Sequence, residues 1–179
     1  MVNLIELFGN KNIMRLLDFF ISNPEKEFSQ IKIKNKTNLS KATLTKWLRK
    51  LESEGSINVR EEGVSKLYEL NKNDLIIKYL KIINNIIKLK DIRKLNNKYN
   101  IKIYLYGSAA RGEDTEDSDI DLLIIGKLKK ENIINEINKI SEKINKKIKI
   151  EIFTPLEWSN LSMKDRAFYE RVEKDKIEL

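Results

Sequence analysis

The chain contains no cysteine and no histidine. The first absence rules out a disulfide framework and any thiolate metal site. The second rules out every Ser-His or Cys-His catalytic pair and every imidazole ligand. Acid–base work therefore falls to carboxylates, lysine, tyrosine or water. Proline is nearly missing, with 2 residues, and glycine is scarce, with 6 in 179. No Pro- or Gly-rich linker separates the parts of the chain, which predicts limited freedom between them. No run is long and apolar enough to span a bilayer, so no membrane partner is expected. MVNLIELFGNKN also lacks the basic start of a signal peptide, and the expected location is the cytoplasm.

What is abundant is charge. The balance of 35 Lys and Arg against 27 Asp and Glu leaves +8, with a pI near 9.4. Such a surplus favours anionic partners such as nucleic acid or nucleotides. The richness in Ile, Lys and Asn is also what an AT-rich genome produces, so distribution matters more than total. Between Ile76 and Asn100, Lys78, Lys81, Lys88, Lys90, Arg93, Lys94 and Lys98 face only Asp91. A run of this kind reads first as a solvated helix face. The length accommodates one medium domain or two small ones.

The first part of the chain reads as three helices and a hairpin. Ile13, Leu16, Leu17 and Phe20 recur at helical spacing over residues 11–22. Glu27-Phe28-Ser29 reads as a short strand before a second helix over 30–36. Ser40 is a suitable N-cap for a third helix over 41–54, which buries Leu44, Trp47, Leu48 and Leu51. Strands at 57–59 and 66–70 flank Glu62-Gly63, a hairpin signal. Residues 74–97 then read as one long helix, with Ile76, Tyr79, Leu80, Ile83, Ile86 and Ile87 on its apolar side.

The densest pattern lies at residues 101–124, IKIYLYGSAARGEDTEDSDIDLLI. Ile101, Ile103 and Leu105 alternate with Lys102, Tyr104 and Tyr106, the period of a half-buried strand. Gly107 and Ser108 end it at a sharp turn, and the short helix expected there offers amides and a hydroxyl to a phosphate. In a second strand Ile120, Leu122 and Ile124 point one way, Asp119 and Asp121 the other. Two carboxylates at that spacing repel, and a hard divalent cation such as Mg²⁺ removes the repulsion and bridges to phosphate oxygens. A further amphipathic helix carries Ile133, Ile137, Ile140 and Ile144. Lys147 to Phe153 is a third strand, whose Lys149 and Glu151 share the sense of the aspartates. The remaining tail reads as one helix around Phe168, Tyr169 and Val172, then a short strand at 177–179.

Gly107-Ser108-Ala109-Ala110-Arg111-Gly112 followed by Ser118-Asp119-Ile120-Asp121-Leu122 resembles the signature of the DNA polymerase β-like nucleotidyltransferases, above all their small prokaryotic members. The resemblance implies nucleotidyl transfer from an NTP, ATP favoured, with two Mg²⁺ ions. It implies metal binding by Asp119 and Asp121, a triphosphate held by Gly107 and Ser108, and phosphate contact or loop bracing by Arg111. Glu151 stands where most members carry Asp, and is expected as the third carboxylate, a metal ligand or the base. Small relatives are often paired with a HEPN-domain toxin, which they modify on tyrosine.

Residues 1–72 resemble a winged helix-turn-helix domain. That likeness implies duplex DNA as a partner, read by Lys41, Thr43, Thr45, Lys46 and Arg49 on the third helix. Glu61 and Glu62 at the hairpin tip instead favour protein contacts. The expected fold is thus α+β: a winged helix over 1–72, a connecting helix over 73–98, and a nucleotidyltransferase fold over 99–179 with a mixed sheet covered by helices. Two functions follow, an enzyme with a self-regulating DNA-binding domain, or a DNA-binding regulator that senses NTP without turning it over.

Overall fold

The structure, a computed structural model, describes residues 9–179. Met1–Phe8, where the signal-peptide reading falls, lies outside the described residues. The chain divides into two compact units, Met1–Lys78 and Tyr79–Leu179. Among the described residues, eight helices and two sheets give a mixed α+β architecture. No described helix is long and apolar enough to cross a membrane.

The first unit follows its local signals closely. Helix α1 (Lys11–Ile21) starts where the Asn10 side chain accepts the amides of Asn12 and Ile13, and it buries Ile13, Leu16, Leu17 and Phe20. Strand β1 (Phe28–Ser29) runs into α2 (Gln30–Thr37), capped by Ser29. Helix α3 (Lys41–Ser53) is capped by Ser40 and buries the four residues its stripe predicts. Strands β2 (Ile57–Glu62) and β3 (Ser65–Leu70) are longer than the hydrophobic pattern suggests. Apolar alternation stops at Val59, but the ladder continues to Glu62 opposite Ser65. Ion pairs Arg60–Glu62 and Lys66–Glu61 line that exposed extension. The order β1-β3-β2 is antiparallel throughout.

The predicted single helix over 74–97 is two helices, α4 (Leu75–Lys88) and α5 (Arg93–Tyr99). The break has a cause in spacing. Leu89, Ile92 and Leu95 are all buried, and three residues per step drifts around a straight α-helix. Tight turns, with the Ile92 amide donating to Leu89 carbonyl and the Leu95 amide to Ile92 carbonyl, keep all three on one side. The buried face of α4 also differs from the predicted one. Leu80 is buried and Ile86 packs on the core as expected, but Ile77, Lys81, Asn85 and then Leu89 are buried as well, whereas Ile76, Tyr79, Ile83 and Ile87 are exposed. This helix is apolar on nearly every side, so periodicity alone could not select the face.

In the second unit, β4 (Lys102–Tyr106), β5 (Ile120–Ile125), β6 (Ile148–Phe153) and β7 (Ile177–Glu178) form a mixed sheet in the order β6-β5-β4-β7. β5 and β6 are parallel, joined through α6 (Lys130–Ile144), and the other pairs are antiparallel. One face packs Ile103, Leu105, Ile120, Leu122 and Ile124 against α5 and α6. The opposite face is covered by Trp158, Val172 and Phe168, which pack on Tyr104, Tyr106 and Leu123.

The cover comes from a tail that forms two helices rather than one, α7 (Pro155–Lys164) and α8 (Arg166–Asp175). Thr154 and Glu157 form a capping box around Pro155, and Asp165 ends α7 while accepting the Phe168 amide to start α8.

Candidate active site

Strand β4 ends with Tyr106 directly opposite Asp121 on β5. The chain then turns at Gly107 with φ +74, a left-handed conformation that disfavours a side chain. A Cβ placed there would lie 2.7 Å from Oδ2 of Asp121. Glycine is needed twice over, for the backbone and for the carboxylate that leans across it. Gly107→Ala should destabilise the unit by about 1–2 kcal/mol from the backbone alone, with the displaced carboxylate adding to that. A double-mutant cycle of thermal melts with Asp121→Ala tests it. The second change should recover part of the loss, and strict additivity would show that the two groups do not collide.

Lys149 sits opposite Asp121 across the parallel pair, and its Nζ lies 2.7 Å from Oδ2 of Asp119. That ammonium holds the Asp119 carboxyl below the usual carboxylate range, and the carboxylate raises Lys149 in turn. Asp121 is half-buried and moves the other way. Burial pushes it up, against Lys149 and with a small push from Asp119. Tyr106 is pushed up to about 12, by burial first and then by the charges of Asp121 and Glu151. A lysine ammonium thus stands where the two carboxylates call for a cation.

The other expected residues fall into place unequally. The helix expected after Gly107 is a single 3₁₀ turn, Gly107–Ala109, because the amides of Ala110 and Arg111 fold straight back onto the Gly107 carbonyl. Ser108 is partly exposed on that turn. Ser118 closes the following loop, its hydroxyl accepting the Thr115 amide at 2.8 Å.

Arg111 is held by Glu113 and Asp175 at 2.8 and 2.7 Å, not by Asp114 or Asp117. Glu151 shares the face of Asp121 but lies opposite Leu123, one pleat along the strand. Lys149 takes the place beside Asp121, so Asp119 and Asp121 come together without Glu151. Among the described residues no group of three acidic side chains is gathered at one point.

The family model described as "Nucleotidyltransferase domain" matches residues 86–174. That match falls within the second unit. No curated protein matches the chain. Solved structures it is similar to include a putative nucleotidyltransferase from Sulfolobus solfataricus, at 23% identity and TM-score 0.36 over 59% of this chain and 88% of that one. NolR from Sinorhizobium fredii matches at 18% and 0.34 over 53% and 79%. The hypothetical protein PyrSV_gp04 from Pyrobaculum spherical virus matches at 14% and 0.32 over 82% and 78%. These TM-scores all fall below 0.5.

Behind the loop from Gly107 to Asp119 lies a buried polar cluster that sequence reasoning missed. Asp114 accepts from Asn85 at 3.0 Å, and pairs with Lys81 at 3.6 Å and Lys146 at 3.3 Å. Asn85 also donates to the Ala109 carbonyl, and Lys146 to the Thr115 carbonyl. The cluster grips the loop between Gly107 and Asp119 at several points, and so fixes where both aspartates stand. Its signal was the placement of Lys81 and Asn85 four residues apart after Ile77, two polar residues on one helix face. Lys81 had been read as part of a solvated basic run.

In the first unit, Lys41, Lys46 and Arg49 are exposed on α3. The hydroxyls of Thr43 and Thr45 are engaged inside the unit, by Ser40 at 2.9 Å and Gln30 at 2.6 Å. Lys46 lies over the Trp47 ring. On the hairpin, Arg60 is paired with Glu27 and Glu62, and Lys66 with Glu61.

Proposed function

We propose that the protein is a Mg²⁺-dependent nucleotidyltransferase that moves NMP from an NTP to a hydroxyl on a partner protein. The observation that carries this reading is the pair Asp119 and Asp121 at the start of β5, with Gly107 kept bare so that Asp121 can lean across the phosphate-side turn. The donor set suits the cation. Both ligands are carboxylate oxygens, the hard type Mg²⁺ prefers, and Lys149 already stands in for positive charge beside them. Asp119 and Asp121 would hold the metal, which when bound would neutralise phosphate charge and polarise the phosphorus centre.

The chain's own groups then divide the remaining tasks. Gly107 and Ser108 cradle the β- and γ-phosphates. Glu151, a pleat away, accepts the proton of the attacking hydroxyl. The oxygen–phosphorus bond forms at the α-phosphate as the bond to pyrophosphate breaks. Lys149 gives up Asp119 and offsets charge on the phosphate chain.

The acceptor is read as a protein, a HEPN-type toxin in this account, because the domain has little surface left for a primer strand. The first unit is read as a winged helix that binds the protein's own promoter, through Lys41, Lys46 and Arg49. The paired cations of the hairpin make α3 the main contact. A regulator that senses NTP without turnover is the second reading, favoured by the Lys149–Asp119 pair, which leaves the carboxylates balanced without metal.

The test is transfer of label from α-labelled ATP, CTP, GTP or UTP, with Mg²⁺ and the product of the neighbouring gene. Label on a hydroxyl side chain with pyrophosphate released supports the enzyme; NTP binding without pyrophosphate release supports the sensor. Label on tRNA or a small alcohol, but not on protein, keeps the chemistry and removes the toxin acceptor. Glu151→Gln should slow transfer more than it weakens NTP binding, and equal loss of both would make Glu151 a ligand.

A further inference from the structure

The signature arginine, Arg111, is committed to Glu113 and Asp175, so its guanidinium is already satisfied by two carboxylates. A different arginine lies on the aromatic face of the sheet. Arg171 on α8 is exposed and forms no ion pair among the described residues. Its guanidinium lies over the Phe168 ring, 5.5 Å from the centroid, a geometry that holds the side chain without neutralising it. Phe168 in turn meets Tyr106 edge-on at 6.2 Å, and Tyr106 is the residue paired with Asp121. Arg171, Phe168, Tyr106 and Asp121 thus follow one another along this face of the sheet.

We propose that Arg171 is the arginine that binds the phosphate chain of the nucleotide, on the aromatic side of the carboxylates. The inference rests on the nucleotidyltransferase reading above. An arginine is suited to this place because its planar fork binds phosphate oxygens in pairs, and because aromatic stacking leaves its edge donors facing outward. Lys149 approaches from the β6 side and Arg171 from the α8 side. Each contributes one cation to a polyanion that Asp119 and Asp121 alone would repel.

The experiment compares the full-length wild type with Arg171→Ala and Arg171→Lys, by calorimetric titration with ATP, pyrophosphate and AMP in Mg²⁺. Near-ultraviolet circular dichroism of each variant checks the aromatic packing around Phe168. Arg171→Ala should weaken ATP and pyrophosphate by about 10- to 100-fold, the loss expected for a charge-assisted pair of hydrogen bonds. Affinity for AMP should change by less than about threefold in the same variant, and Arg171→Lys should recover part of the loss. A variant that binds ATP and pyrophosphate as the wild type does overturns the assignment. So does equal loss of AMP, which would mean that the aromatic face had collapsed. If the wild type binds neither ATP nor pyrophosphate with Mg²⁺, the nucleotidyltransferase reading itself has failed. That result is told apart by the unmutated protein.

Discussion

Asp121→Asn should lower nucleotidyl transfer by about 10³-fold or more while leaving the fold intact. The estimate follows from removing one preorganised charge from a partly desolvated site. Asp121 is half-buried between Gly107, Tyr106 and Lys149, and asparagine fills the same space without the charge. Stability should move in the opposite direction from activity. Burial raises the Asp121 carboxyl, so the folded state favours its protonated form, and ionising it at neutral pH costs stability. The asparagine variant should therefore match or exceed the wild-type melting temperature at neutral pH. Its advantage should fade as pH falls through the raised value and be gone below the ordinary carboxylate range. A variant that keeps wild-type transfer rates would remove Asp121 from the mechanism.

The largest expected effect on stability lies behind the site, at Asp114. Its side chain and that of Lys81 are 8% and 4% exposed. Removing one partner of a buried ion pair leaves an uncompensated charge, which costs about 3–5 kcal/mol. Asp114→Ala should cost at least this much, because it takes the carboxylate from both Lys81 and Lys146 and one acceptor from Asn85. Lys81→Met should cost less, since Lys146 still faces Asp114. Urea denaturation of the full chain measures both. Losses under about 1 kcal/mol in both variants would show that the cluster is solvated rather than buried. At temperatures where Asp114→Ala remains folded, NTP binding should weaken too, because the loop holding Gly107 and Asp119 loses its anchor.

The two aspartates were legible in the sequence for a physical reason. Strand alternation and a Gly-Ser turn are local, and they place Asp121 beside Gly107 without help from distant residues. The cap at Ser40 was legible likewise. What failed to show depended on contacts between distant segments. Helix α4 has apolar residues around most of its circumference, and the face that is buried carries Lys81 and Asn85, chosen by Asp114 some thirty positions later. Arg171 lies over Phe168 on a helix that begins only where Asp165 splits the tail in two. The third-strand register could not be read either. Alternation put Lys149 and Glu151 on the right face, but only the β5–β6 pairing shows Lys149 beside Asp121.

The central claim is that Asp119 and Asp121 form a metal-dependent NTP site beside Gly107. Calorimetric titration of ATP into the full-length protein, with Mg²⁺ and then with EDTA, tests it most directly, repeated with Asp119→Asn and Asp121→Asn. Binding should appear with Mg²⁺, disappear with EDTA, and be lost in both variants. ATP binding of equal strength with and without the metal, or unchanged in either variant, would contradict the account.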